Sequence, residues 1–268
     1  MRLDLLLVQK ELVSSREKAQ FAIKKGLVTV NGKTITKPSF DCDMDSQVEL
    51  IKAPLKYVSK GGLKLERAAS VFKLDFNNKV VLDIGASTGG FTDFCLQNGA
   101  SLIYAVDVGT NQLDSSLVNN PKIKSIEHCN FRTVTSEDLD KRIFDFVVID
   151  VSFISLRYIF ENLDSFIDEK TTIVALIKPQ FELYEVAYQN KGYIIREDDH
   201  LITLRRVVSY ANEFGLSIKD LTFSIVRGEK KGNIEFLGLF NLDKNNNNID
   251  YKAIVKEAHN YFKGEHHE

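Results

Sequence analysis

"VVLDIGASTGGF", Val80–Phe91, is the stretch on which the fold turns. An apolar run carries an acid near its carboxyl end and passes into a turn of small residues, Gly85 to Gly90, before a helix. Small residues let backbone amides approach a ligand closely, and the N-terminus of the following helix can face the ligand's polar groups. The stretch reads as a cofactor crevice whose wall is Asp83, Gly85, Ala86, Ser87, Thr88, Gly89, Gly90 and Phe91.

Working outward, a second strand-length run, "LIYAVDVG", ends in Asp107, 24 residues after Asp83. An acid at that place suits a ribose diol, as in nucleotide-binding α/β sheets. The turn lacks the G-x-G-x-x-G order of dinucleotide sites. Asp83, which precedes the glycines, can attract an ammonium group that NAD does not have, so S-adenosylmethionine is the expected cofactor. "HCNFR" follows the third strand, where adenine contacts belong. Asn130 is a cofactor residue there on one reading and a turn-forming asparagine on the other.

The runs "KVVLDIG", "LIYAVDVG", "IKSIEH", "FDFVVIDVS" and "TTIVALIKPQ" alternate with helical stretches and are too apolar for one-sided sheets. They predict parallel strands covered on both faces. After a helix at about His200 to Phe214, "LSIKDLTFSIVRG" and "GNIEFLGLF" are close enough along the chain to pair antiparallel. The expected architecture is α/β, a mostly parallel Rossmann-like sheet with an antiparallel terminal pair. "DKNNNNID" reads as a low-complexity surface loop and "GEHHE" as a disordered end.

The first fifty residues differ in character. Leu3, Leu6 and Leu7 have helical spacing, Ser14 and Glu17 form a capping-box pattern, and Gly26 follows the second helical stretch. Asn31-Gly32 between alternating segments is a strong hairpin signal. Residues 1–37 hold eight Lys or Arg against three acids, although the whole chain carries a net charge of -2. Arg16, Lys18, Lys24 and Lys25 are expected to meet phosphates from one face. This helix-helix-hairpin, with "SREKAQFAIKKGLVTVNGK" at its centre, resembles the S4 RNA-binding domain and makes a small α+β unit. The boundaries expected are 1–50 for that unit, 51–58 for a linker around Pro54, and 59–268 for the larger domain.

Cys42, Cys95 and Cys129 are odd in number and far apart, which suggests neither a disulfide framework nor a metal site. No apolar run approaches the roughly 20 residues of a membrane span, and "LLLV" is too short for a signal-peptide core. A cytoplasmic protein without a membrane partner is expected.

"DIGASTGGFTD", "AVDVG", "FDFVVIDVSFISL", "IKPQFE" and "GNIEF" occur together in an order that resembles the TlyA (hemolysin A) family of S4 plus FtsJ-like ribosomal RNA methyltransferases. The segment "FELYEVAYQNKGYIIREDDH" departs from that family's pattern, since relatives commonly carry a Gly-Lys-containing segment there. The resemblance implies transfer of a methyl group from S-adenosylmethionine to a cytidine 2'-hydroxyl, with 23S rRNA the favoured target and 16S rRNA the second. It further implies a Lys-Asp-Lys-Glu set, which falls on Lys64, Asp150, Lys178 and Glu235. Asp150 and Lys178 end consecutive strands on the edge where ligands collect, and Glu235 starts an antiparallel strand at that same edge.

A ribose hydroxyl is a weak acid, so a lysine of lowered pKa must help with its proton; Lys178 is the expected base, oriented by Asp150. Lys60 is the rival to Lys64. Phe153 could stack on a flipped base, but its spacing with Ile154 and Leu156 favours core packing. Two other functions remain open on sequence: an RNA-binding assembly factor with a vestigial fold, and a membrane-active hemolysin.

Overall fold

The computed structural model describes residues 1–13, 15–24, 26–51, 56–228 and 232–264. The chain divides into two compact units, Met1–Lys56 and Tyr57–Glu268. Of the expected linker, residues 52–55 lie outside the described residues. Tyr57, its penultimate residue, is buried in the core of the second unit against Leu65 and Phe94.

The first unit runs α1 (Leu3–Gln9), α2 (Arg16–Lys24), β1 (Val28–Val30), β2 (Lys33–Thr34) and β3 (Val48–Leu50). The Asn31-Gly32 turn has positive φ at both central residues, 50° and 77°, as a type I′ hairpin requires. β3 pairs antiparallel on the other side of β1 and makes a three-stranded sheet. This partner is 18 residues away from β1 and had no local signal. Ser14 lies outside the described residues; Ser15 Oγ accepts from the Lys18 amide at 3.3 Å at the start of α2. Leu3, Leu6 and Leu7 pack on Ala19, Ile23 and Val28.

The second unit runs α3 (Gly61–Phe72), β4 (Val80–Ile84), α4 (Gly90–Gln97), β5 (Leu102–Val106), α5 (Ser115–Val118), β6 (Ile123–Ile126), β7 (Phe146–Ile149), α6 (Arg157–Phe160), β8 (Thr172–Ile177), α7 (Pro179–Glu182), α8 (Tyr184–Gln189), α9 (Glu197–Glu213), β9 (Leu216–Phe223), β10 (Phe236–Leu242) and α10 (Tyr251–Gly264). The sheet order is β6-β5-β4-β7-β8-β10-β9. β4 to β8 are parallel, while β10 is antiparallel to both β8 and β9.

The sheet is covered on both faces, as its unbroken apolar strands demand. Phe76, Phe91 and Phe94 pack with Val81, Ile103 and Leu237 on one side. Leu204, Val207, Val255 and Phe262 pack with Leu82, Ile149 and Phe240 on the other. Helix α10 follows a stretch in which the sequence reading places only a surface loop. Its Val255, Ala258 and Phe262 are buried at helical spacing. The asparagine run is ordered along the β9 edge: Asn246 Oδ1 accepts from the Ile218 amide at 2.9 Å, and Asn247 Nδ2 donates to the Lys219 carbonyl at 2.7 Å. Among the described residues no helix is long and apolar enough to cross a membrane.

Candidate active site

The parallel strands set the positions. β4 delivers Asp83 and then turns through Gly85, whose φ of 84° is left-handed. A Cβ on Gly85 would lie 2.5 Å from the Asp150 carbonyl, and one on Gly90 would lie 2.2 Å from Ser59 Oγ. Gly85 is therefore required by its left-handed backbone and by the close Asp150 backbone, and Gly90 by the Ser59 side chain and the nearby Gly62 amide nitrogen, 3.0 Å from such a Cβ. β7 ends at Ile149, so Asp150 stands at the carboxyl edge beside the glycine turn, with its amide donating to the Ile84 carbonyl at 3.0 Å.

Lys178 follows β8 and precedes Pro179, the first residue of α7. A residue before proline is driven to extended backbone, and Lys178 has φ -107° and ψ 100°. Glu235 directly precedes β10, whose Phe236 pairs with Ile177. The antiparallel register thus brings the start of β10 to the end of β8.

A cavity of about 950 Å³ opens over this edge. Its walls include Lys64, Asp150, Lys178 and Glu235, and also Gly85, Ala86, Ser87, Thr88, Gly90 and Phe91 from the turn. Lys178 Nζ lies 2.5 Å from Asp150 Oδ1 and donates to Ser152 Oγ at 2.8 Å. The contact to Asp150 is an ion pair without hydrogen-bond alignment. Lys64 and Glu235 are both buried and pair at 2.6 Å, Nζ to Oε2. Gly228 leaves room for the carboxylate, since a Cβ there would lie 2.6 Å from Glu235 Oε1. Lys60, the alternative to Lys64, is exposed.

Asp83 lies beneath the turn rather than on the cavity wall. Its Oδ2 accepts from Thr92 Oγ1 at 2.6 Å, while Oδ1 is buried without a hydrogen-bond partner. Burial, the largest influence, pushes its carboxyl up to about 7. An orphaned carboxyl oxygen under a glycine cradle fits a cofactor that brings a positive charge.

Asp107 accepts from the Ser87 amide at 2.8 Å and from the Gly109 amide at 2.7 Å. It thus links the turn after β4 to the turn after β5. Gly89 takes a left-handed φ of 89° to start α4 and is off the cavity wall. Asn130 is not brought to the cavity either. Its Oδ1 accepts from the Arg132 amide at 3.2 Å, which makes it the cap of a short 3-10 turn.

Several residues had no signal in the sequence. Glu182 is buried and accepts from Ser155 Oγ at 2.6 Å and the Leu156 amide at 2.8 Å, locking the loop after β7 onto α7. Burial holds its carboxyl above the usual range. That lock leaves Phe153 with φ 65° and 75% exposed at the cavity mouth, its ring 5.2 Å from that of Phe181. Core packing of Phe153 is thus incorrect: Leu156 takes the buried position and the loop turns Phe153 outward. Asn233 clips the segment after α8 by accepting from the Ile194 amide at 3.0 Å and donating to the Gly192 carbonyl at 2.9 Å.

In the first unit, Lys25 lies outside the described residues. Arg16 and Lys18 stand about 160° apart around α2, so the expected cations do not share one face. Arg16 Nε instead donates to Asp4 Oδ2 at 3.0 Å. Asp4 is fully buried and also receives Arg2 and Gln20; hydrogen bonding from Arg2, then the others, holds its carboxyl far below the usual range. Lys18 and Lys24 flank Phe21, which is half-exposed, along one stripe of the helix.

Residues 57–203 match the FtsJ-like methyltransferase family and residues 1–48 the S4 domain. The chain is 44% identical over 236 residues to "Putative rRNA methyltransferase YqxC" of Bacillus subtilis (strain 168), across 88% of this chain and 84% of that protein. It is 34% identical to the "23S rRNA (cytidine-2'-O)-methyltransferase TlyA" of Campylobacter jejuni, across 88% and 97%. The solved structure titled "Putative hemolysin from Streptococcus thermophilus" superposes with a TM-score of 0.79 at 41% identity, covering 100% of this chain and 98% of that one. With the glycine cradle, the orphaned Asp83 oxygen and the paired lysines at one sheet edge, these likenesses lead to one conclusion: the chain belongs to the FtsJ-like methyltransferase family, joined here to an S4 domain, and its cofactor is S-adenosylmethionine.

Proposed function

We propose that this enzyme methylates a cytidine ribose 2'-hydroxyl in ribosomal RNA, with the large-subunit RNA as its target. The observation that carries the reading is the placement of Lys178 Nζ on the cavity wall, held by Asp150 at 2.5 Å and Ser152 at 2.8 Å. A base for a hydroxyl proton must be within hydrogen-bond reach of that hydroxyl and fixed in direction, and two anchors on one ammonium fix it. The name of the Campylobacter relative, a 23S rRNA (cytidine-2'-O)-methyltransferase, supports both the nucleoside and the subunit.

When bound, S-adenosylmethionine supplies the electrophilic methyl group. Gly85, Ala86, Ser87, Thr88, Gly90 and Phe91 line the cofactor side of the cavity, with Asp83 beneath the turn. Lys178 receives the proton of the 2'-hydroxyl, and Asp150 pairs with the ammonium that results. The Lys64–Glu235 pair keeps its charges balanced within the wall and offers the ribose a second polar side. Alignment of the hydroxyl supplies the rest of the acceleration, as in other displacements governed by proximity. The S4 unit adds affinity for the RNA backbone, and a ribosomal RNA substrate implies work in the cytoplasm.

The test is transfer of radiolabelled methyl to purified large- and small-subunit particles that lack the modification. Wild type is expected to label cytidine 2'-oxygens of large-subunit RNA. Lys178→Ala is expected to lose at least 100-fold in kcat, within the range of general-base effects, and to bind S-adenosylmethionine as wild type does. Label on a base or on protein, or a fully active Lys178→Ala, overturns the reading.

A further inference from the structure

Helix α8, Tyr184–Gln189, has six residues and could not persist alone. The fold nevertheless holds it in several ways. Leu183 and Ala187 pack with Ile194 in a small separate core. The Gly192 amide closes the helix on the Ala187 carbonyl at 2.7 Å, and Asn233 clips the returning strand of chain at Gly192 and Ile194. The side turned away from that core carries Tyr184 and Tyr188, 66% and 76% exposed. As an i, i+4 pair they stand over one another, with ring centroids 6.0 Å apart and planes inclined by only 31°.

Both rings, with Lys191, line the same cavity as Lys178 and Asp150. They belong to the β8 side of the sheet edge. The glycine turn belongs to β4, and β7 lies between. The cofactor's adenine belongs beyond β4, toward β5 and Asp107, so it does not account for the two tyrosines. What enters the cavity beside Lys178 is the RNA. This step rests on the 2'-hydroxyl reading above.

We propose that Tyr184 and Tyr188 form a stacking shelf for an unpaired nucleobase next to the methylated nucleotide. Flat π-faces of this kind hold single-stranded nucleic acid with little sequence preference. Lys191 on the same wall can meet the adjoining phosphate.

The experiment measures kcat and KM on large-subunit particles lacking the modification, using full-length Tyr184→Ala and Tyr188→Ala with Tyr188→Phe, Tyr188→Trp and Tyr188→Leu. Loss of one base stack is expected to raise KM roughly tenfold in each alanine variant, with kcat and cofactor affinity within about twofold of wild type. Stacking needs a flat ring rather than a hydroxyl or mere apolar bulk. The Phe and Trp variants should therefore keep the wild-type KM, and the Leu variant should behave as the alanine one.

Unchanged KM in both alanine variants, or a Leu variant as good as Phe, overturns the shelf while leaving the 2'-hydroxyl reading intact. A wild type that methylates no ribose in ribosomal RNA overturns both. If an alanine variant fails to fold, the Phe, Trp and Leu comparison decides alone.

Discussion

Lys64 and Glu235 are separated by 171 residues along the chain and meet at 2.6 Å, both buried. A buried ion pair is poor evidence of stabilisation, but removing one partner strands the other's charge at a cost of about 3–5 kcal/mol, whereas replacing both by apolar groups is often neutral. That asymmetry separates scaffolding from chemistry. Lys64→Ala and Glu235→Ala should each lose at least about 3 kcal/mol in urea unfolding. The double variant Lys64→Met/Glu235→Leu should return to within about 1 kcal/mol of wild type and still transfer no methyl group. Recovery of both stability and activity in the double variant would make the pair a structural strut. Asp150, Lys178 and Glu235 were legible partly because each stands at the end or start of a strand that the apolar pattern marks, whereas Lys64 was legible only through the family resemblance. Ser152, Glu182 and Asn233 were not, because their partners are 26 to 41 residues away and a serine or asparagine in a loop has no local signature of what it will bond.

At the scale of elements, the seam between α9 and α10 holds a titration that lowers stability in acid. His200 on α9 is fully buried, its Nδ1 is 2.9 Å from His259 Nε2 on α10, and its Nε2 has no hydrogen-bond partner. Burial, then the neighbouring His259, lowers its pKa from 6.5 to about 3. A base whose folded pKa is depressed binds its proton more readily unfolded, so the stability it confers is complete above pH 6.5 and drains away as pH falls from 6.5 toward 3. By pH 5 the loss is about 2 kcal/mol.

Asp83 has the opposite sign. Its carboxyl, raised from 3.8 to about 7, favours the fold at low pH and loses that contribution as pH rises through 7. Only the comparison with His200→Leu isolates the histidine. Relative to wild type, the variant should gain stability as pH falls from 7 to 5, by about the 2 kcal/mol that His200 loses there; parallel profiles would remove His200 from the account.

The same seam shows where element reading stops. The apolar strand runs announced the sheet because their pattern is continuous. Helix α10 buries Val255, Ala258 and Phe262 and half-buries Tyr251 and Ile254, a stripe interleaved with charged residues that takes on meaning only with α9 and β9 beside it. β3 was missed for a similar reason: three residues become a strand only when β1 offers its free edge.

Across the molecule, chemistry and basic charge fall on separate units, each with its own core. Lys64 and Lys178 on the cavity wall are buried in ion pairs with Glu235 and Asp150, so they contribute little long-range attraction to a polyanion. On α2, Lys24 is exposed and Lys18 half-buried on either side of Phe21, whereas the exposed Arg16 is tied to the buried Asp4. Affinity for RNA and competence for methyl transfer should therefore respond to different substitutions. If Lys18 and Lys24 each meet a phosphate, full-length Lys18→Glu/Lys24→Glu loses two such contacts. The slope of log affinity against log salt should fall by between about 1.4 and 1.8, with RNA binding weakened most at low salt. Cofactor affinity and kcat at saturating substrate should stay as in wild type. Arg16→Ala should act differently, lowering the stability of the first unit because Asp4 loses one of its donors. A charge-reversed protein with an unchanged salt slope would show that RNA is gripped elsewhere, and a collapse of kcat would show that the two units share the chemistry.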